Sequence, residues 1–99
     1  MYGSIFQFRP RAGTEKELDQ LFSTTDTTEG ARLRSAGLKA SYVFKLDQGG
    51  WMGVAVFESK EKYMANANDP AQDRWFQRFR ALLEADPEWH DGEIVASAT

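Results

Sequence analysis

The stretch Asp86-Pro87-Glu88-Trp89-His90-Asp91-Gly92-Glu93 packs the only histidine of the chain, several carboxylates and a tryptophan into eight positions. An imidazole beside Asp91 and near Glu88 has the makings of a general base, or of one ligand to a hard metal. A metal site needs several converging ligands, however, and adjacent side chains point apart. The same residues read more simply as a corner after a helix. Asp86-Pro87 stops the helix, Trp89 packs back, Asp91 bonds local backbone and Gly92 turns the chain. No metal site is expected. Elsewhere the sequence shows no paired-carboxylate pattern, no nucleophile–base pair and no phosphate-cradling glycine loop.

The aromatic residues offer a second kind of chemistry. Phe6, Phe8, Tyr42, Phe44, Trp51, Tyr63, Trp75 and Phe79 are expected to line the space between helices and sheet. Flat aromatic walls with a few hydroxyl or amide groups suit a planar aromatic ligand. In this reading Gln7 and Asn66 orient a carbonyl, and Tyr63 donates to a developing oxyanion. Tyr63 and Asn66 are thus the candidate catalytic residues; Phe6, Gln7, Tyr42, Trp51, Trp75 and Phe79 are the candidate ligand contacts. The alternative is that these aromatics simply fill the core of a small domain. Arg78 is either an anchor for an anionic substrate or a solvated charge.

The elements that must position these groups belong to one domain, residues 1–99, because 99 residues leave no room for a second core. The chain is 41% hydrophobic and 27% charged, ordinary for a soluble protein, but 13% aromatic, which lets a short chain bury much area. Cysteine is absent, so disulfides and thiolate metal sites are excluded, and a reducing cytoplasmic location fits. No apolar run approaches the roughly 20 residues of a membrane span, and the first residues lack the order of a signal peptide. A net charge of −3 with interspersed signs is a poor footprint for nucleic acid. Arg74, Arg78 and Arg80 read as a solvated helix face.

Tyr2 to Arg9 alternates as a strand, with Tyr2, Ser4, Phe6 and Phe8 on one face. Thr14-Glu15-Lys16-Glu17 has the form of a capping box before the stripe Leu18, Leu21, Phe22. A break or bend is expected over the polar, β-branched run from Ser23 to Thr28, with a second helix start at Thr28. Leu38 to Leu46 reads as an edge strand with Leu38, Ala40, Tyr42, Phe44 and Leu46 on one face. Asp47-Gln48-Gly49-Gly50 is a hairpin loop, and Trp51 to Glu58, apolar on both faces, is a covered central strand. Ser59 caps a short helix. Asp69-Pro70 starts the strongest one, on which Trp75, Phe76, Phe79, Leu82 and Leu83 recur at three- and four-residue steps. A short last strand is expected at 93–96.

This order predicts an α+β class: a ferredoxin-like, antiparallel four-stranded sheet with helices on one face and the first and third strands central. The opposite face then has nothing in the chain to cover it. An apolar sheet face left bare calls for a partner, and a second copy is the simplest, giving a homodimeric α+β barrel.

The run Phe57-Glu58-Ser59-Lys60-Glu61-Lys62-Tyr63, the segment from Asn66 to Phe76 and the 86–93 stretch resemble the antibiotic biosynthesis monooxygenase-like family of dimeric α+β barrels. The resemblance covers the second half of the chain well and the first half by pattern only. It implies cofactor-free oxygenation of an aromatic or quinol, haem degradation, or a small protein without known activity. Haem-degrading relatives carry an asparagine on the first strand and a tryptophan and a histidine on the helices after the Phe57-Glu58-Ser59-Lys60 motif. The matching positions here hold Gln7, Asn66 and Phe76, so haem degradation is disfavoured. The polyketide oxygenases also place a tryptophan on the short helix, which this chain lacks. The expectation is a cofactor-independent monooxygenase-like protein or a non-catalytic homodimeric binder, needing no cofactor.

Overall fold

The computed structural model describes residues 1–23 and 28–98. Strands β1 (Tyr2–Phe8), β2 (Leu38–Lys45), β3 (Trp51–Phe57) and β4 (Glu88–Glu93) are joined by helices α1 (Glu15–Phe22), α2 (Thr28–Ser35), α3 (Lys60–Ala67) and α4 (Pro70–Ala81). The sheet is antiparallel throughout and ordered β2-β3-β1-β4. The first and third strands are therefore central, as the split β-α-β unit requires. The expected break between the first two helices falls largely on residues 24–27, outside the described residues.

Strand periodicity decides which side chains meet the helices. On β1, Ser4, Phe6 and Phe8 are buried, whereas Ile5 and Gln7 are exposed. Directly opposed residues share a face, so Trp51, Gly53, Ala55 and Phe57 on β3 lie on the same side as Phe8, Phe6, Ser4 and Tyr2. Gly53 has a specific reason to be glycine. A Cβ there would overlap the ring of Phe6, which lies across it.

The core forms where α1 and α4 press onto this face. Leu18 and Phe79 are fully buried against Phe6, Phe8 and Leu83. Phe79 meets Phe8 edge-on at 5.0 Å and stacks on Trp75 at 5.3 Å. The caps of α3 and α4 are those the sequence predicts. Ser59 accepts from the Lys62 amide at 3.2 Å, and Asp69 accepts from the Ala71 amide at 2.8 Å with Pro70 opening the helix. Gly49 and Gly50 both take positive φ in the β2–β3 loop.

Three expectations are corrected. Thr14 does not cap α1: its hydroxyl donates to the Arg11 carbonyl at 2.7 Å, tying the β1–α1 loop shut. The faces of β2 are reversed beyond Leu38. Leu38 pairs with Phe57 but Ala40 with Val56, so two residues on β2 oppose one on β3, and this bulge flips the strand. Ser41, Val43 and Lys45 then share the helix side, and Tyr42 and Phe44 point away from it. Finally, β4 is the 88–93 stretch itself, with 93–96 lying at and beyond its end. The free edge of β1 supplies a hydrogen-bonding template that overrides the turn-forming residues, Gly92 included.

Candidate functional site

Between the sheet and helices α2, α3 and α4 lies a cavity of about 340 Å³. Ser4, Phe6, Ala55 and Phe57 form its floor, and Trp75, Phe76 and Trp89 supply aromatic walls. Trp89 packs on Phe6 at 4.8 Å and Phe76 at 6.0 Å, so the tryptophan of the 86–93 stretch does fold back onto the helices. Helix α3 presents Tyr63 and Asn66 to the cavity together because residues three apart share a helix face.

Tyr63 is wedged between Tyr2 at 5.3 Å and Phe57 at 5.5 Å. Its hydroxyl donates to Asp91 Oδ1 at 2.9 Å. Burial pushes its pKa up to about 12; the Asp91 carboxylate adds to this, and the nearby Ser4 hydroxyl works the other way. Tyr63 is thus a neutral phenol whose proton is already committed. Ser4 Oγ lies beside it without completing a hydrogen bond. Only 3% of Ser4 is exposed, and its hydroxyl has no partner among the described residues. Leaving a buried hydroxyl unpaired is costly, which makes this group a waiting contact for whatever enters.

The other polar cluster centres on Arg32 of α2. Its guanidinium makes a two-point contact with Glu29, Nε to Oε2 at 3.2 Å and Nη2 to Oε1 at 2.6 Å. Nη1 donates to Asn66 Oδ1 at 2.9 Å and to Asp69 Oδ2 at 3.3 Å, and Nη2 donates to Gln72 Oε1 at 3.0 Å. The hydrogen bonds that Arg32 donates to Glu29 hold its pKa above the ordinary value despite the cost of burial. One side chain thereby pins α2 to α3 and α4, and Glu29, Asn66 and Gln72 all border the cavity.

Of the sequence-predicted site residues, Phe6, Tyr63, Asn66 and Trp75 come together around the cavity. Phe79 touches Trp75 but is fully buried in the core. Trp51 packs on Phe8 at 6.0 Å and borders a separate hollow with Pro10 and Lys16. Tyr42 sits on the opposite side of the sheet because of the bulge, and Gln7 does so by its place in β1. His90 pairs with Glu88 at 3.2 Å and is opposite Ile5, on that same bare face. Ser4, Arg32, Gln72 and Trp89 are the contributors that sequence reasoning missed. Two of them carried a signal: Ser4 in its alternation with Phe6 and Phe8, and Trp89 in the expectation that it packs back. Among the described residues, no three His, Cys, Asp or Glu side chains converge as metal ligands, and no helix is long and apolar enough to cross a membrane.

No protein-family model matches the sequence, and no curated protein is similar to it. Solved structures are similar in fold. An antibiotic biosynthesis monooxygenase superposes with a TM-score of 0.74 at 13% identity, over 97% of this chain and 100% of the other. SnoaB, a cofactor-independent oxygenase from Streptomyces nogalater, gives 0.78 at 13% identity, over 97% and 94%. Rv0793 from Mycobacterium tuberculosis gives 0.76 at 15% identity, over 99% and 98%. The chain therefore has the ferredoxin-like α+β fold of solved antibiotic biosynthesis monooxygenases, which is the fold that the sequence resemblance implied.

Proposed function

We propose that the cavity binds a planar aromatic or quinol small molecule and that the protein oxidises it with dioxygen, without a cofactor. The observation that carries this reading is the unpaired Ser4 hydroxyl buried in an aromatic-walled cavity of about 340 Å³. That volume lies within the range of small-molecule sites and exceeds the roughly 150 Å³ that accepts benzene in an engineered core. The fold shared with a cofactor-independent oxygenase supports it. An electron-rich ring supplies its own reducing equivalents once deprotonated, so the protein need only bind it, exclude water and stabilise an anion. A ring methylene becomes a ketone: one oxygen atom is inserted, and the other leaves as water with the two hydrogens. Among the described residues at the cavity, Asp73 is the carboxylate free of an ion pair, and it is the candidate to receive the first proton.

The same reading assigns the bare sheet face to a second copy of the chain. Ile5, Tyr42 and Phe44 are 45%, 62% and 50% exposed there, beside half-buried Met52, Val54 and Val56. Face-to-face pairing would cover them all.

A non-catalytic homodimeric binder is the second reading. It is favoured by the commitment of the Tyr63 proton to Asp91 and by the position of His90 away from the cavity. Oxygen uptake by the pure protein with a panel of hydroquinones and anthrones separates the two. Saturable turnover, lost in Trp75→Ala and reduced in Asp73→Asn, supports the enzyme. Saturable binding with no oxygen consumed by any panel member supports the binder.

A further inference from the structure

We infer that Arg32 is a positioning residue that turns the polar wall of the cavity into a hydrogen-bond donor surface, selecting uncharged aromatic ligands that carry a carbonyl acceptor. The inference rests on the reading that a small molecule occupies the cavity, and it starts from the chemistry of the guanidinium. Arginine offers five N–H donors and no acceptor. Here all five are used: one on Nε and one on Nη2 to Glu29, two on Nη1 to Asn66 and Asp69, and the second on Nη2 to Gln72.

Both primary amides must therefore meet Arg32 with their oxygens. That leaves the NH2 groups of Asn66 and Gln72 as the ends available to the cavity that both residues border. Asn66 is only 7% exposed, so its amide has little solvent to turn to. A buried amide donor and the unpaired Ser4 hydroxyl are both matched by a ligand oxygen that accepts.

Charge narrows the class further. Arg32 is in ion-pair contact with both Glu29 and Asp69, so the cluster as a whole carries one excess negative charge. Among the described residues that line the cavity, a carboxylate or phosphate meets no unsatisfied cation, and a neutral ketone or quinone carbonyl meets no repulsion.

Three matched ligands test this: 2-acetylnaphthalene, 2-ethylnaphthalene and 2-naphthoate, titrated by calorimetry against the full chain. Wild type is expected to prefer the ketone over the ethyl compound by about tenfold, the worth of one good hydrogen bond, and to bind the naphthoate more weakly than the ketone. Asn66→Asp keeps an oxygen toward Arg32 but replaces the donor with an acceptor, so the ketone preference should vanish. Arg32→Lys frees both amides to rotate, so the preference should narrow while binding of the ethyl compound persists. A ketone preference unchanged in both variants overturns the proposal.

Ligand-free NMR decides the amide orientation by itself, whatever the panel does. The strongest cross-relaxation from Asn66 Hδ2 should reach aromatic protons of the cavity, and cross-relaxation dominated by Arg32 Hη overturns the inference. If no ligand of the panel binds wild type while the NMR result holds, it is the cavity-occupancy reading that fails.

Discussion

The two faces of the sheet are built from alternate residues of the same strands, yet they end in opposite environments. On the helix side, Phe6, Phe8 and Phe57 are almost wholly buried, and the helices leave a cavity where their small residues and amides fall. On the other side, Ile5, Tyr42 and Phe44 form an open plane over Met52, Val54 and Val56. Apolar residues are therefore abundant on both faces, and what separates them is polar detail. The helix side holds an orphan hydroxyl, a fully engaged arginine and two oriented amides. The bare side is apolar toward β2, with Gln7, Glu88 and His90 toward β4. The first arrangement suits a small molecule, the second a broad surface.

The largest effect expected from breaking this contrast comes from deleting one ring on each side. Phe79→Ala removes a fully buried ring and should cost about 3–5 kcal/mol in urea unfolding. Tyr42→Ala removes a ring that is mostly in water and should change the stability of the dissociated chain by less than about 0.5 kcal/mol. Comparable losses at the two positions would erase the distinction between the faces.

Ser4→Ala sharpens the comparison with the opposite sign. Removing an unpaired buried hydroxyl should raise the urea midpoint, by about 1 kcal/mol in stability, while weakening ligand binding. A hydroxyl that served only the fold would show a loss of stability instead.

These two sites also show what the sequence made legible. Phe6, Phe8 and Ser4 share a face in plain strand alternation, and the spacing Trp75, Phe79 announces the core face of α4. The order of elements was enough for the sheet topology. Tyr42 was misplaced because a bulge of one residue reverses everything after it, and nothing in Leu38-Lys39-Ala40 announces the insertion. The stretch from Glu88 to Glu93 reads as a corner locally, and becomes a strand only because β1 has an unfilled edge. Arg32 was invisible for a different reason. Apart from Glu29, its partners lie 34 to 40 residues away on α3 and at the start of α4, and an arginine on a polar helix carries no mark of that.

The smallest expected effect concerns pH. Burial raises the Tyr63 pKa from its ordinary value of 10.0 to about 12, so the folded chain holds this proton more tightly than the unfolded one. Its contribution to stability is complete below pH 10 and declines as pH rises through the folded value. Tyrosinate absorbance should show one phenol ionising late, and Tyr63→Phe should remove that step. A titration with no late phenol would mean that the hydroxyl is open to water, and the cavity with it.

What happens to the bare face in solution is the most direct test. Sedimentation equilibrium of the wild-type chain, alongside Val54→Asp, measures it. A wild-type dimer that the aspartate converts to a folded monomer is the predicted result. A wild-type chain that stays a monodisperse monomer at high concentration, with Tyr42 and Phe44 in water, would contradict it.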